Sequence, residues 1–219
     1  MFVKKLEPYN IYFANFETQY DVTSTLIRIQ EYYESPSELF RNKVFDLDSY
    51  MDWCASEHKG VFSYFVDWVG FNVPGEVIRN WYLDFWAIGY RNKEKELISK
   101  LPVNSNEPWY LIATHKSETT TTINHEISHA LWYLDGKYRA SCENLINQLP
   151  NKSKELMIVW LKENGYCDNV INDEITAYLS TVDDIKDMSK ETKISKKDLI
   201  SIHNLFKEQF DKYSGNIVK

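Results

Sequence analysis

The chain has 219 residues, 43% hydrophobic and 26% charged, which excludes a chain too polar to bury a core. A net charge of −7 argues against nucleic acid or an anionic membrane as a partner, because phosphate recognition draws on clustered Lys and Arg. No apolar run reaches membrane-spanning length, residues 1–8 lack the apolar stretch of a secretory signal, and Cys54, Cys142 and Cys167 are odd in number and far apart. A cytoplasmic protein without a disulfide framework is expected, with export by a route that reads no N-terminal signal left open.

No repeat, low-complexity tract or linker divides the sequence, so one domain over 1–219 is expected. It has an aromatic-rich N-terminal part at 1–107, a middle part at 108–181 and a C-terminal helical part at 182–219. Residues 23–34 and 48–57 read as helices opened by oxygen-bearing side chains. Residues 61–66 are aromatic and β-branched and read as a buried strand. Pro74 and Gly75 then open a helix over 76–88 with Val77, Ile78, Trp81, Phe85 and Trp86 at helical spacing, and 93–100 reads as another short helix. The aromatic residues between Trp68 and Trp86 fit core packing better than a pocket lining. Residues 108–114 are the best strand in the chain. A turn-like stretch over 116–122 precedes a helix over 123–134, which Gly136 is expected to stop in the left-handed conformation. Helices follow at 141–148, 152–164 and 171–181. Ser195 and Asp198 resemble a capping box before a last amphipathic helix bearing Leu199, Ile202, Leu205, Phe206 and Phe210. The fold class is α+β, helix-rich, with a small mixed or antiparallel sheet.

The chemistry lies at His125-Glu126-Ile127-Ser128-His129, which fits H-E-x-x-H. Histidines four apart stand one turn above each other on a helix face, where both reach one ion, while the intervening glutamate can accept a proton from a water at an open coordination position. Zinc would lower the pKa of that water to about 7, leaving Glu126 to complete its deprotonation. Ile127, Ser128, Ala130, Leu131 and Leu134 give the helix an uncharged face to seat against a core. A catalytic zinc needs a third protein ligand. Glu174 is the candidate, with Ala177 small enough to let two helices approach; Asp173, Asp168 and Glu143 are the substitutes. A carboxylate near a helix N-terminus is also favoured without any metal. For the developing oxyanion the candidate donors are Tyr178, Tyr133, Tyr138 and His115, of which Tyr178 leads because it shares a helix face with Glu174.

These residues resemble the gluzincin zinc metallopeptidases, whose pattern is H-E-x-x-H on one helix and a glutamate ligand on a later one. The resemblance covers roughly 109–181 and makes 108–181 a zincin-like metal-site core. It implies Zn²⁺ as cofactor, His125, His129 and Glu174 as ligands, Glu126 as general base and a peptide or protein as substrate, with substrate backbone pairing to the strand before the motif. The chain departs from thermolysin-like members in the 45 positions between His129 and Glu174, and in having Tyr178 where those carry an aspartate that supports a zinc-bound histidine. A deformylase-like amidase would instead need a cysteine ligand in a Gly-Cys-Leu-type setting, which is absent. The remaining alternative is a metal-binding or interaction protein without turnover, against which Glu126 itself speaks, since a structural site has no use for a carboxylate aimed at an open position.

Overall fold

The computed structural model describes residues 1–215 and 217. The architecture is α+β and predominantly helical, with one small mixed sheet. The chain groups into two compact units, Met1–Glu118 and Thr119–Lys219, and the boundary falls within the 108–181 stretch, after its strand and before its motif helix. Among the described residues no helix is long and apolar enough to cross a membrane.

The first unit runs β1 (Phe2–Leu6), β2 (Ile11–Phe16), α1 (Gln19–Glu34), α2 (Leu47–Glu57), α3 (Tyr64–Asp67), β3 (Gly70–Pro74), α4 (Gly75–Asp84), a 3₁₀ turn (Phe85–Ala87), α5 (Asn92–Ile98) and β4 (Tyr110–His115). The sheet order is β1-β2-β4-β3. The strand expected over 108–114 is real, but it is not an edge. β4 pairs in parallel with β2, Ile11 opposite Tyr110 through Phe16 opposite His115, and antiparallel with β3, Gly70 opposite Thr114 through Pro74 opposite Tyr110. Its backbone groups are spent on both sides, so substrate backbone cannot add to it. That corrects the expectation carried by the resemblance.

α1 begins at Gln19, earlier than expected, because the Thr18 hydroxyl accepts from the Asp21 N–H at 3.1 Å. It is enclosed rather than amphipathic: every residue from Val22 to Tyr32 is buried. Around it pack Phe71, Trp81, Phe85 and Trp109. Of the aromatic block, Phe71, Trp81 and Phe85 are therefore core, whereas Trp68 and Trp86 face outward. Within this core Arg28 is buried against Glu94, Nε to Oε1 at 2.8 Å, with its guanidinium 4.9 Å from the Phe85 ring centroid. Gly75 is required by close approach: a Cβ there would lie 2.3 Å from the Trp109 ring, while its N–H bonds the Trp109 carbonyl at 2.8 Å.

Residues 61–66 are not a strand. A single helical turn, α3, buries Tyr64 and leaves Val61 and Val66 exposed, and the Gln19 amide holds it by donating to the Val66 and Trp68 carbonyls at 2.9 Å. The segment lacks the alternation that would let a strand bury one face.

The second unit is all helix: α6 (Thr120–Leu134), α7 (Gly136–Gln148), α8 (Asn151–Glu163), α9 (Ile171–Thr181), α10 (Ile185–Thr192) and α11 (Lys196–Ser214). α6 and α9 pack directly, and α11 lies against both α9 and α7. α6 is stopped by Asp135, not by a left-handed Gly136. The Asp135 N–H closes α6 on the Leu131 carbonyl at 2.8 Å, and its carboxylate caps the N–H groups of Lys137 and Tyr138 at 2.9 and 3.1 Å, so Gly136 opens α7. Gly165, at φ +93°, is the left-handed residue after α8. Ser195 caps α11 through the Asp198 N–H at 3.2 Å, as its spacing predicts.

Candidate metal centre

The centre lies within the second unit, on α6 and α9. α6 starts where the Thr119 hydroxyl accepts from the Thr122 N–H at 3.2 Å, which sets the helical register one turn before the motif. Ile127, Ala130 and Leu131 are fully buried, so the helix is seated on its apolar side; His125 and His129 face Glu174 of α9, and Glu126 is buried close enough for its charge to act on His129. α9 begins at Ile171 and brings Glu174 in on its first turn. Glu126, His129 and Glu174 are buried and His125 is half-buried.

Three donor atoms converge. His125 Nε2 and His129 Nε2 are 3.1 Å apart, His125 Nε2 is 3.7 Å from Glu174 Oε2, and His129 Nε2 is 3.7 Å from Glu174 Oε1. A tetrahedral ion with bonds of about 2.0–2.1 Å has ligand atoms about 3.3 Å apart. The two histidine nitrogens lie close to that spacing, each faces a different oxygen of Glu174, and one atom from each of the three residues lies within 4.8 Å of the others. The group can hold a metal ion. Two imidazoles and a carboxylate suit zinc and its first-row neighbours better than magnesium or calcium.

No family model, curated protein or solved structure matches this chain. What the centre can do follows from its own atoms.

The Asp173 carboxylate meets His129 Nδ1 at 2.9 Å, on the ring edge away from the donor cluster. Burial acts to lower the pKa of His129, but the charges of Asp173 and Glu174, the contact with Asp173 and the charge of Glu126 together outweigh it and push the value up to about 10. Burial, with the neighbouring His129, holds His125 well below the ordinary histidine range. With its pKa raised so far, His129 carries a proton on both ring nitrogens at neutral pH; a metal ion would displace the one on Nε2, which faces the other two donors, and leave the one on Nδ1 beside Asp173.

Tyr178 stands beside the cluster, its ring edge-on to His125 at 4.7 Å between centroids and to Trp160 of α8 at 4.9 Å. Its hydroxyl is 3.1 Å from that of Tyr166. Burial first, then the charges of Glu174 and Glu126, raise Tyr166 above the ordinary phenol range; Tyr178 is raised by the same causes, opposed by its hydrogen bond to Tyr166. Both phenols therefore sit within electrostatic reach of the two carboxylates of the centre.

Of the other candidates, Tyr133 is half-buried near the end of α6. Tyr138 is fully buried with its hydroxyl 2.9 Å from that of Ser128, and His115, in the first unit, faces Glu118 at 3.0 Å. Asp168 pairs with Lys162 on the surface, and Glu143 is exposed. Sequence spacing offers Asp173 only as a substitute ligand; its place on the far edge of His129 is one that helical spacing alone does not reveal. Tyr166 is not among the residues that the sequence motif points to. The signal for it was Gly165: a residue that follows a left-handed glycine at a helix end is commonly folded back onto the helix it leaves, and the Tyr166 N–H does return to the Leu161 carbonyl at 3.1 Å.

Proposed function

We propose that this chain is a zinc-dependent metallopeptidase of the gluzincin type, acting on a peptide or protein substrate. The observation that carries the reading is the convergence of His125 Nε2, His129 Nε2 and the Glu174 carboxylate with Glu126 buried beside them. His125, His129 and Glu174 would hold the ion, and Zn²⁺ is the proposed metal. A bound zinc ion supplies Lewis acidity, bringing the pKa of a water to about 7 and polarising a carbonyl.

The chain's own groups then have distinct tasks. Asp173 fixes the tautomer and ring direction of His129. Glu126 takes a proton from the attacking water and returns it to the departing amine, which requires the deprotonated carboxylate to lie next to the reacting position. Tyr178 donates its O–H to the oxygen on which negative charge develops, a contact commonly worth about 3 kcal/mol in the transition state. Three unbridged cysteines, two of them buried, suit a reducing compartment, and cytoplasmic residence is part of the proposal.

The test is zinc content by elemental mass spectrometry after dialysis against metal-free buffer, on the native chain and on Glu174→Gln, followed by a peptide-library screen with Glu126→Gln as control. About one zinc per native chain, much weakened in Glu174→Gln, with cleavage abolished by Glu126→Gln, supports the reading. No zinc in either form after reconstitution would sink it. Zinc without cleavage of any peptide would favour a metal-binding protein without turnover.

A further inference from the structure

The ring of Tyr178 is held by two edge contacts, with His125 at 4.7 Å and with Trp160 at 4.9 Å between centroids. A phenol fixed in this way still has one freedom that matters for donation: its hydroxyl hydrogen rotates about the C–O bond and points wherever the best acceptor lies. Tyr166 bears on that freedom. The left-handed turn at Gly165 folds Tyr166 back from the end of α8, bringing its hydroxyl 3.1 Å from that of Tyr178. Both rings are half-buried, so bulk water competes poorly for either hydroxyl.

Two hydrogen-bonded phenols carry two protons. One is used between them and the other is free to point outward, so the pair delivers a single directed donor whose identity depends on which tyrosine gives and which accepts. Resting on the metallopeptidase reading, we propose that Tyr166 is a positioning residue: it donates its O–H to the Tyr178 oxygen, which turns the Tyr178 proton toward the substrate oxygen. A hydroxyl that accepts a hydrogen bond is also the stronger donor, because the two bonds polarise each other in the same direction.

The experiment is a double-mutant cycle on the zinc-loaded chain with Tyr166→Phe, Tyr178→Phe and the double variant. It measures kcat and KM on a peptide found in the library screen, and equilibrium binding of a phosphinic analogue of that peptide, whose tetrahedral centre mimics the transition state. Tyr178→Phe is expected to lower kcat by about 100-fold, the scale of one lost oxyanion donor. Tyr166→Phe is expected to lower kcat and weaken the phosphinic analogue by about tenfold, the scale of one lost hydrogen bond, with KM and zinc content unchanged. In the Tyr178→Phe background, adding Tyr166→Phe should change nothing further.

Full additivity of the two losses would overturn the proposal, as would the reversed order of effects, which would make Tyr166 the outward donor. Loss of zinc or of helical signal in Tyr166→Phe would assign that residue to the fold and overturn it as well. Wild-type cleavage abolished by Glu126→Gln but indifferent to Tyr166→Phe removes this inference alone. A zinc-loaded wild type that cleaves no peptide removes the metallopeptidase reading and this inference together.

Discussion

Asp173 Oδ1 stands 2.9 Å from His129 Nδ1, on the edge of the imidazole that faces away from His125 and Glu174. A carboxylate in that position orients a ligand without touching the ion, and losing such a partner typically weakens metal affinity by about 10–100-fold. Asp173→Ala should therefore bind zinc about 10–100-fold more weakly at unchanged stoichiometry, read by competition with a chromogenic chelator. Equal affinity in the two forms would show that packing alone directs the ring.

Glu31 gives the first unit a pH dependence of opposite sign to that of most carboxylates. Burial raises its pKa, and the neighbouring hydroxyls of Tyr50, Tyr64 and Ser35 recover part of the shift. The fold prefers the protonated form, so the contribution of Glu31 to stability is fully present below the ordinary carboxylate value and is lost as pH rises through the raised one. In urea titrations, Glu31→Gln should gain stability relative to the wild type as pH increases from about 4.5 toward neutrality. A stability difference that does not change with pH would rule out Glu31 as the source.

Gly75 leaves no room for a methyl group, since the Trp109 ring occupies the position of its Cβ. Gly75→Ala would have to displace a buried indole and should destabilise the first unit by about 1–3 kcal/mol, despite the better helix propensity of alanine. Thermal unfolding followed by tryptophan fluorescence reads this directly, and a variant at least as stable as the wild type would show that the indole moves freely.

Arg28 and Glu94 form an ion pair with almost no solvent access on either side. Breaking it by Glu94→Gln should cost about 3–5 kcal/mol because a buried guanidinium loses its counter-charge, whereas an apolar pair such as Arg28→Met with Glu94→Leu should cost much less. Chemical denaturation of the three proteins separates the charge effect from the volume effect. If both variants lost the same stability, packing would be the cause.

The sequence made some of this legible and hid the rest, for physical reasons. The relation between His125 and His129 is local: any helix through 123–134 brings residues four apart onto one face, whatever surrounds it. α9 was readable for the same reason, and its bounds match those expected. The sequence of β2 carries no strand signal of its own. Ile11–Phe16 shows no alternation because residues on both faces of the strand are buried, Ile11 and Phe13 on one and Ala14 and Phe16 on the other, and its partner in β4 lies about a hundred residues along the chain, Ile11 opposite Tyr110. The same non-locality hid the interior position of β4, since a strand's own residues do not say how many neighbours it has. The part played by Asp173 depends on how α9 meets α6, so spacing along one helix could only propose it as a ligand.

Among the described residues, α6 and α9 alone furnish the three donor atoms and the carboxylate behind His129; α7 and α8, which fill most of the 45 positions between His129 and Glu174, furnish none of them. The intervening helices are an excursion whose length the metal geometry does not constrain. A protein with the same centre could carry a shorter or longer excursion and keep every donor distance, so what defines this site is the meeting of two helices rather than a fixed interval along the chain. Glu174 and Asp173 are consecutive on α9, and a slip of that helix by one residue would turn both away together. Two of the donors therefore come with α6 alone, and the docking of α9 adds Glu174 and Asp173 together.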